Sequence, residues 1–323
     1  MNKQTEIQIE ESSSWDTYWE GSGDATALTD GGANHPAILH FWDTVFLALK
    51  QVYKAPKILD IASGNGAVLE RALATYEDVI ELTSIDISPA AISNIKRRFP
   101  AVTGLVADAA KIPLESASFD AVTSQFGLEY AGKEAIYEAA RLVKKDGQLA
   151  LLLHIEKGSI HEECQQSLDA IQRVQASNFI AAASTMFDAG FKAVRGADRS
   201  AYDKAAKELS PALAVLEDIM QEHGQHVAAD TIYRLYNDVA NIHQRIQHYE
   251  PDEILNWLKT LDTELEAYAG RMQSMLNSGF DADSFKGACT GLADMGFTIA
   301  QAEELKIPGQ NSPMAWQLIA TKQ

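Results

Sequence analysis

Residues Ile58-Leu59-Asp60-Ile61-Ala62-Ser63-Gly64-Asn65-Gly66 constrain this chain more than any other stretch. A short apolar run carries an acid and enters a turn with two glycines one residue apart. Glycines at this spacing turn the backbone from strand to helix and let it approach a ligand closely. The acid limits that ligand. Phosphate cradles rely on backbone N–H groups at a helix N-terminus, whereas a carboxylate at the strand end repels phosphate and suits a cation. A P-loop requires Gly-Lys-Ser/Thr, and no lysine follows Gly66. The dinucleotide fingerprint requires a third glycine three residues after the second, and Leu69 stands there. Alone, the stretch also reads as a plain strand-to-helix turn.

The following segments narrow it. Leu82-Thr83-Ser84-Ile85-Asp86-Ile87-Ser88 is a β-rich run with an acid at its end. Ser88 suits a helix cap and Pro89 a first helical turn. Asp86 lies 20 residues after Gly66, where an acid can bind ribose hydroxyls. A third strand, 104–109, ends in Asp108-Ala109. A fourth, 119–124, runs into Gln125-Phe126-Gly127-Leu128-Glu129-Tyr130, and a fifth spans 147–154. Helices are expected at 67–75, 89–98 and 133–144. Alternating strands and helices imply a parallel sheet covered on both faces. Ligands of such sheets bind beyond the carboxyl ends of the strands, so Asp60, Asp86, Asp108 and Ser124 should converge.

These motifs resemble the core of the class I S-adenosylmethionine-dependent methyltransferases. Residues 58–66 are similar to that family's first motif, Asp86 to its ribose-binding acid, Asp108-Ala109 to the pair beside the adenine, and Phe119-Asp120-Ala121-Val122 to its fourth-strand motif. The likeness covers 38–156 well and 280–323 more loosely. Ala62-Ser63 departs from the Gly-Cys or Gly-Thr of many members, but both residues are small enough for close approach of the methionine part. The resemblance implies a Rossmann-like, doubly wound, seven-stranded α/β sheet with its last strand antiparallel. It also implies S-adenosylmethionine as cofactor. The cofactor residues carried over are Asp60, Ala62, Ser63, Gly64, Asn65, Gly66, Asp86, Ile87, Asp108, Ala109, Ser124 and Gln125, with Tyr18 and Trp19 from an N-terminal aromatic arm.

That arm, Trp15-Asp16-Thr17-Tyr18-Trp19-Glu20, either folds over the cofactor or anchors the chain to the domain. Asn34-His35-Pro36 precedes an apolar helix, 38–52. Expected domains are therefore an arm at 1–37, a cofactor-binding core at 38–156 with 280–323, and an insertion at 157–279. The core would resume with strands near 296–303 and 316–322 around a helix at 283–295.

The insertion reads as helical, with helices at 160–187 and 200–222. Ile232, Leu235, Val239, Ile242 and Ile246 step by threes and fours, as do Ile254, Leu258, Leu261, Leu265, Tyr268, Met272 and Met275 after Pro251. Such stripes read as the seam of a helical bundle. A substrate-selecting lid and a homodimer arm are the two readings of the whole. His223 and His226 fall close together, yet no third ligand at metal spacing accompanies them, so no metal is expected.

The net charge of −18 opposes nucleic acid. Two cysteines, Cys164 and Cys289, give no disulfide framework. No run approaches membrane-spanning length, and a cytoplasmic enzyme is the expectation. Glu129, Tyr130 and His154 are the candidate catalytic groups, with Gln125 and Phe126 beside them on the acceptor side. The Asn-Pro-Pro-aromatic signature of amino-methylating nucleic-acid enzymes is absent after the fourth strand. The expected activity is methyl transfer to a small molecule. The alternatives are a cofactor-binding protein whose insertion recruits a partner, and a nicotinamide oxidoreductase, which Leu69 opposes.

Overall fold

A computed structural model describes residues 15–20, 35–76 and 80–323. The expectations for residues 1–14 and for Asn34 lie outside them. Residues 15–20 are helical. Helix α1 (Pro36–Val52) then leads into strand β1 (Lys57–Ile61), α2 (Ala67–Tyr76), β2 (Glu81–Asp86), α3 (Pro89–Arg98), β3 (Thr103–Val106) and β4 (Phe119–Gln125). A 3-10 turn at Leu128–Ala131 precedes α4 (Ala135–Leu142) and β5 (Val143–His154). After a helical insertion come α10 (Ala282–Asp294), β6 (Phe297–Leu305) and β7 (Ala315–Lys322).

The seven strands form one sheet in the order β3-β2-β1-β4-β5-β7-β6. Pairing is parallel from β3 through β5. β7 runs antiparallel to both β5 and β6. The strand order reverses between β1 and β4, which opens a crevice at the carboxyl ends of those strands. Strands buried on both faces read as continuous apolar runs; Leu149 and Leu151–Leu153 of β5 are fully buried. Leu59, Val122, Ile136, Leu142, Leu151, Leu292 and Leu318 join one core. At about 1.5–3 kcal/mol for each large apolar side chain buried, this core holds the strand ends in register.

Three elements differ from the sequence expectation by three residues or more. β3 stops at Val106, because the Asp108 carboxylate accepts the Ala110 N–H at 2.8 Å and closes a local turn. β5 starts four residues early, at Val143; a bulge between Phe119 and Ala121 of β4, with Asp146 left-handed at φ 64°, takes up the extra length. The helix expected at 160–187 is two, α5 (Ser159–Ala176) and α6 (Phe179–Val194), divided at Asn178 with φ 55°. Asparagine tolerates that conformation better than most residues.

The insertion continues with α7 (Ser200–His223), α8 (Thr231–Gln244) and α9 (Pro251–Ser278). The chain divides into two compact units, one ending at Glu162 and resuming at Ser274, the other Glu163–Gln273. The helical unit has its own core, in which Phe179, Phe187, Leu216, Ile232 and Leu258 are inaccessible to solvent. The stripes expected of a bundle supply much of it: Ile232, Leu235, Val239, Ile242, Ile254, Leu258 and Leu265 are all buried there. No helix among the described residues is long and apolar enough to cross a membrane.

Candidate active site

The turn after β1 is built from left-handed backbone. Ala62, Gly64 and Gly66 have φ of 54°, 52° and 86°. Two bonds from β2 hold it: Ser63 N–H donates to the Ile85 carbonyl at 3.1 Å, and Gly64 N–H to Asp86 Oδ2 at 2.8 Å. Asp86 Oδ1 accepts the Ser88 N–H at 2.9 Å. The second acid therefore fixes the first loop. Burial raises the Asp86 pKa, against the pull of the Ser88, Gly64 and Ile87 N–H groups.

Asp60 closes the cavity from below. Its Oδ1 accepts the Thr123 hydroxyl at 2.8 Å, and its Oδ2 is buried with no hydrogen-bond partner. Burial pushes this carboxyl up to about 7, opposed by the Thr123 and Ser63 hydroxyls and aided by the nearby Asp86 charge. An orphaned, buried carboxylate oxygen costs several kcal/mol when ionised. A cation in the cavity would remove that cost.

The N-terminal aromatic segment covers this end. Asp16 Oδ1 accepts the Ser88 hydroxyl at 2.5 Å and the Ala90 N–H at 3.0 Å, at the N-terminus of α3. Asn94 Nδ2 donates to the Trp19 carbonyl at 2.9 Å. The Trp19 indole consequently lies across Gly64, where a Cβ would come within 2.6 Å of it. Trp15 reaches further and meets the Tyr130 ring at 5.4 Å.

The other half of the cavity belongs to β4 and β5. Gly127 packs against Ala62, leaving no room for a Cβ. The Tyr130 hydroxyl and His154 Nε2 are 2.8 Å apart. His154 stacks on Phe126, ring centroids 4.8 Å apart at 25°. The backbone N–H of His154 donates to Glu129 Oε1 at 2.7 Å, and Glu129 Oε2 closes no hydrogen bond of its own. Burial lowers the His154 pKa to about 3, with a smaller push from His161, and raises that of Glu129 to about 7. The imidazole is thus neutral at ordinary pH.

Of the residues singled out from sequence, Trp19, Asp60, Ala62, Ser63, Gly64, Asn65, Asp86, Ile87, Asp108, Ala109, Gln125, Tyr130 and His154 line one cavity. Four are set back from it. The Gly66 α-carbon faces Phe99. The buried Ser124 hydroxyl donates to the Ile61 carbonyl at 2.8 Å. Tyr18 packs edge-on against Trp19 at 4.7 Å. Glu129 lies behind His154 with a fully buried side chain. Phe126 lines the cavity, as its place after β4 suggested. Trp15, Val68, Ile85, Ala107 and Met275 line it without having been singled out for the site. Met275 was the last member of a bundle stripe, and periodicity cannot tell a core position from a cavity wall.

His223 and His226 have separate partners. His226 is exposed and pairs with Asp230 at 2.7 Å, while His223 sits near Asp169 and Glu222. No cluster of three metal-ligating side chains occurs among the described residues. Cys164 and Cys289 are unbridged.

The cavity fits S-adenosylmethionine. Asp60 Oδ2 offers an uncompensated carboxylate to a positive group. Asp86 keeps acceptor capacity for hydroxyls. No lysine or arginine among the described residues lines the cavity, which disfavours a phosphate-bearing cofactor.

Residues 59–151 match the family model of the methyltransferase domain. An uncharacterized methyltransferase of Schizosaccharomyces pombe is 26% identical over 215 residues, 63% of this chain and 75% of that protein. The ubiquinone/menaquinone biosynthesis C-methyltransferase UbiE of Campylobacter jejuni is 33% identical over 117 residues, 34% of this chain. The chain spans half the length of that relative. Among solved structures, SAM-bound CalS10, an amino pentose methyltransferase from Micromonospora echinaspora, shares 22% identity at a TM-score of 0.31, covering 36% of this chain and 50% of that one. The matched stretch contains the β1 turn, Asp86, Asp108 and the β4 segment, so this part of the chain is a methyltransferase domain, similar to those of S-adenosylmethionine-dependent methyltransferases.

Proposed function

We propose that this protein transfers a methyl group from S-adenosylmethionine to a small-molecule acceptor. The observation that carries the reading is the buried, unpartnered Asp60 Oδ2 in a cavity with Asp86 and Asp108 and no lining lysine or arginine among the described residues. When bound, the cofactor supplies a methyl carbon already activated by a sulfonium. The chain's own residues then bind and orient. Asp86 receives the ribose hydroxyls, Asp108-Ala109 the adenine, and the turn at Ala62–Asn65 the methionine part. Trp19 shields these from water. Phe126, Tyr130 and His154 stand across the strand-order reversal, where an acceptor meets the methyl group. Positioning of this kind is worth several kcal/mol of barrier.

The same reading assigns the 157–279 insertion to acceptor selection, supported by a length far beyond what a crossover between strands requires. A homodimer through this segment is the competing assignment, and sedimentation of the purified chain separates the two.

Calorimetry tests the proposal. S-adenosylmethionine and S-adenosylhomocysteine are expected to bind and NAD is not. Binding of NAD alone overturns the proposal. Binding of the sulfur cofactors with no methylated product from a broad metabolite panel favours a binding protein without transferase activity.

A further inference from the structure

One polar side chain of the cavity has its orientation set by a partner that can act in only one way. Trp42 on α1 is 1% exposed, and its indole N–H donates to Gln125 Oε1 at the end of β4. An indole nitrogen only donates, so the amide oxygen faces Trp42; the reversed amide would set donor against donor. The indole is itself held. Phe41 packs edge-on against it at 4.9 Å, and Phe46 stacks on it at 5.8 Å. Gln125 lines the cavity, and Nε2 is the end of its amide left over. No acceptor among the described residues takes an Nε2 proton.

The place of this donor bears on its ligand. Thr123, two residues earlier on β4, is the register partner of Asp60 on β1, and Gly127, two residues later, packs against Ala62. Gln125 thus stands beside the turn assigned above to the methionine part of the cofactor. That part carries an ammonium and a carboxylate. Asp60, Asp86 and Asp108 on the cavity suit the ammonium and oppose the carboxylate, and no lysine or arginine among the described residues lines the cavity to offset them. A cationic side chain there would pair with those acids, whereas a neutral amide donates to a carboxylate and leaves the acids free. Resting on the methyltransferase reading above, we propose that Trp42 is a positioning residue that fixes the Gln125 amide, and that the Gln125 N–H donors receive the methionine carboxylate of the cofactor.

Two ligands that differ only in the carboxylate test this: S-adenosylhomocysteine and its decarboxylated analogue. Each is titrated calorimetrically into wild type, Gln125→Leu, Gln125→Glu and Trp42→Phe. In wild type, S-adenosylhomocysteine should bind at least tenfold more tightly than the analogue. Gln125→Leu should bring the two within twofold. Gln125→Glu keeps an oxygen for the Trp42 N–H but sets a carboxylate against the ligand's own, so the analogue should become the tighter ligand. This variant decides the point alone if Gln125→Leu does not fold. Trp42→Phe keeps an aromatic ring beside Phe41 and Phe46 but frees the amide to turn. It should cut the preference at least threefold while affinity for the analogue stays within twofold of wild type, a split that general loosening of the core would not give. Equal affinity for the two ligands in wild type overturns the inference. So does a tenfold preference that survives Gln125→Leu, which would assign Nε2 to the methyl acceptor instead. A Trp42→Phe variant that keeps the full preference, or weakens both ligands alike, overturns the positioning role. Failure of wild type to bind S-adenosylhomocysteine overturns instead the reading on which the inference rests.

Discussion

Asp86 Oδ2 accepts the Gly64 N–H at 2.8 Å, so the acid at the end of β2 sets the conformation of the glycine turn after β1. One side chain thereby both shapes the loop and offers its remaining lone pairs to a ligand. Replacement of Asp86 by alanine removes both functions. S-adenosylhomocysteine affinity is expected to fall by about 1–3 kcal/mol, the range for charge-assisted hydrogen bonds. Isothermal calorimetry measures it, and unchanged affinity would remove Asp86 from the site.

Gly64 is required for two separate reasons. Its φ of 52° is strained for a residue with a Cβ, and that Cβ would collide with Trp19 Cζ2. Gly64→Ala is expected to lose roughly 1–2 kcal/mol of stability from the backbone alone. Because relief requires Trp19 to move off the turn, cofactor affinity should also fall by at least tenfold. A double variant, Gly64→Ala with Trp19→Ala, removes the collision but keeps the strain. Gly64→Ala should therefore cost less stability in the Trp19→Ala background than in wild type. An equal cost in both backgrounds would show that Trp19 does not press on Gly64.

How much of this was legible beforehand differs between the two halves of the cavity. The cofactor half depends on short-range sequence grammar: an acid ending each strand, glycines at a turn, Ser88-Pro89 at a helix start. Each has a local physical cause, so Asp60, Gly64 and Asp86 were readable one by one. The acceptor half depends on pairs far apart in sequence. Glu129 was a candidate catalytic group from its place after β4, but its carboxylate is turned inward to the backbone N–H of His154, 25 residues away. Asp16 was legible only as part of an aromatic arm, since nothing in its own neighbourhood shows that it caps α3. Ser124 illustrates the opposite error. Strand-end position alone placed it at the ligand, whereas its hydroxyl is spent on the Ile61 carbonyl between strands.

Asp60 should make both stability and cofactor binding depend on pH. Its folded pKa of about 7 lies above the ordinary carboxylate value of 3.8. A raised acid contributes its stability fully below the unfolded pKa and loses it as pH rises through the folded one. Across pH 4 to 7 the loss is on the order of 4 kcal/mol for this residue alone. Asp60→Asn keeps an oxygen for the Thr123 hydroxyl but cannot ionise. Wild type should therefore lose stability relative to Asp60→Asn between pH 4 and 7. Cation binding has the opposite sign: S-adenosylmethionine should bind wild type more tightly at pH 8 than at pH 6, and Asp60→Asn should lack this dependence. Parallel pH profiles for the two proteins would show that the orphaned oxygen does not titrate in this range.

Asp16 is the latch of the aromatic segment. Its Oδ1 takes two hydrogen bonds at the start of α3, one from the Ser88 hydroxyl and one from the Ala90 N–H. A carboxylate there also meets the positive end of the helix, worth about 0.3–1 kcal/mol. The second tether, Asn94 to the Trp19 carbonyl, is a single neutral bond. Loss of the stronger tether should let residues 15–20 leave the cavity without disturbing the sheet beneath. Asp16→Ala is therefore expected to speed S-adenosylhomocysteine dissociation about tenfold in stopped-flow measurements and to change the association rate little. Asn94→Ala should give a smaller change in the same direction. Trp19 fluorescence offers an independent readout, since Asp16→Ala should expose the buried indole and shift its emission to the red. A dissociation rate unaffected by Asp16→Ala, with Trp19 still buried, would assign the segment to anchoring the chain and not to retaining the cofactor.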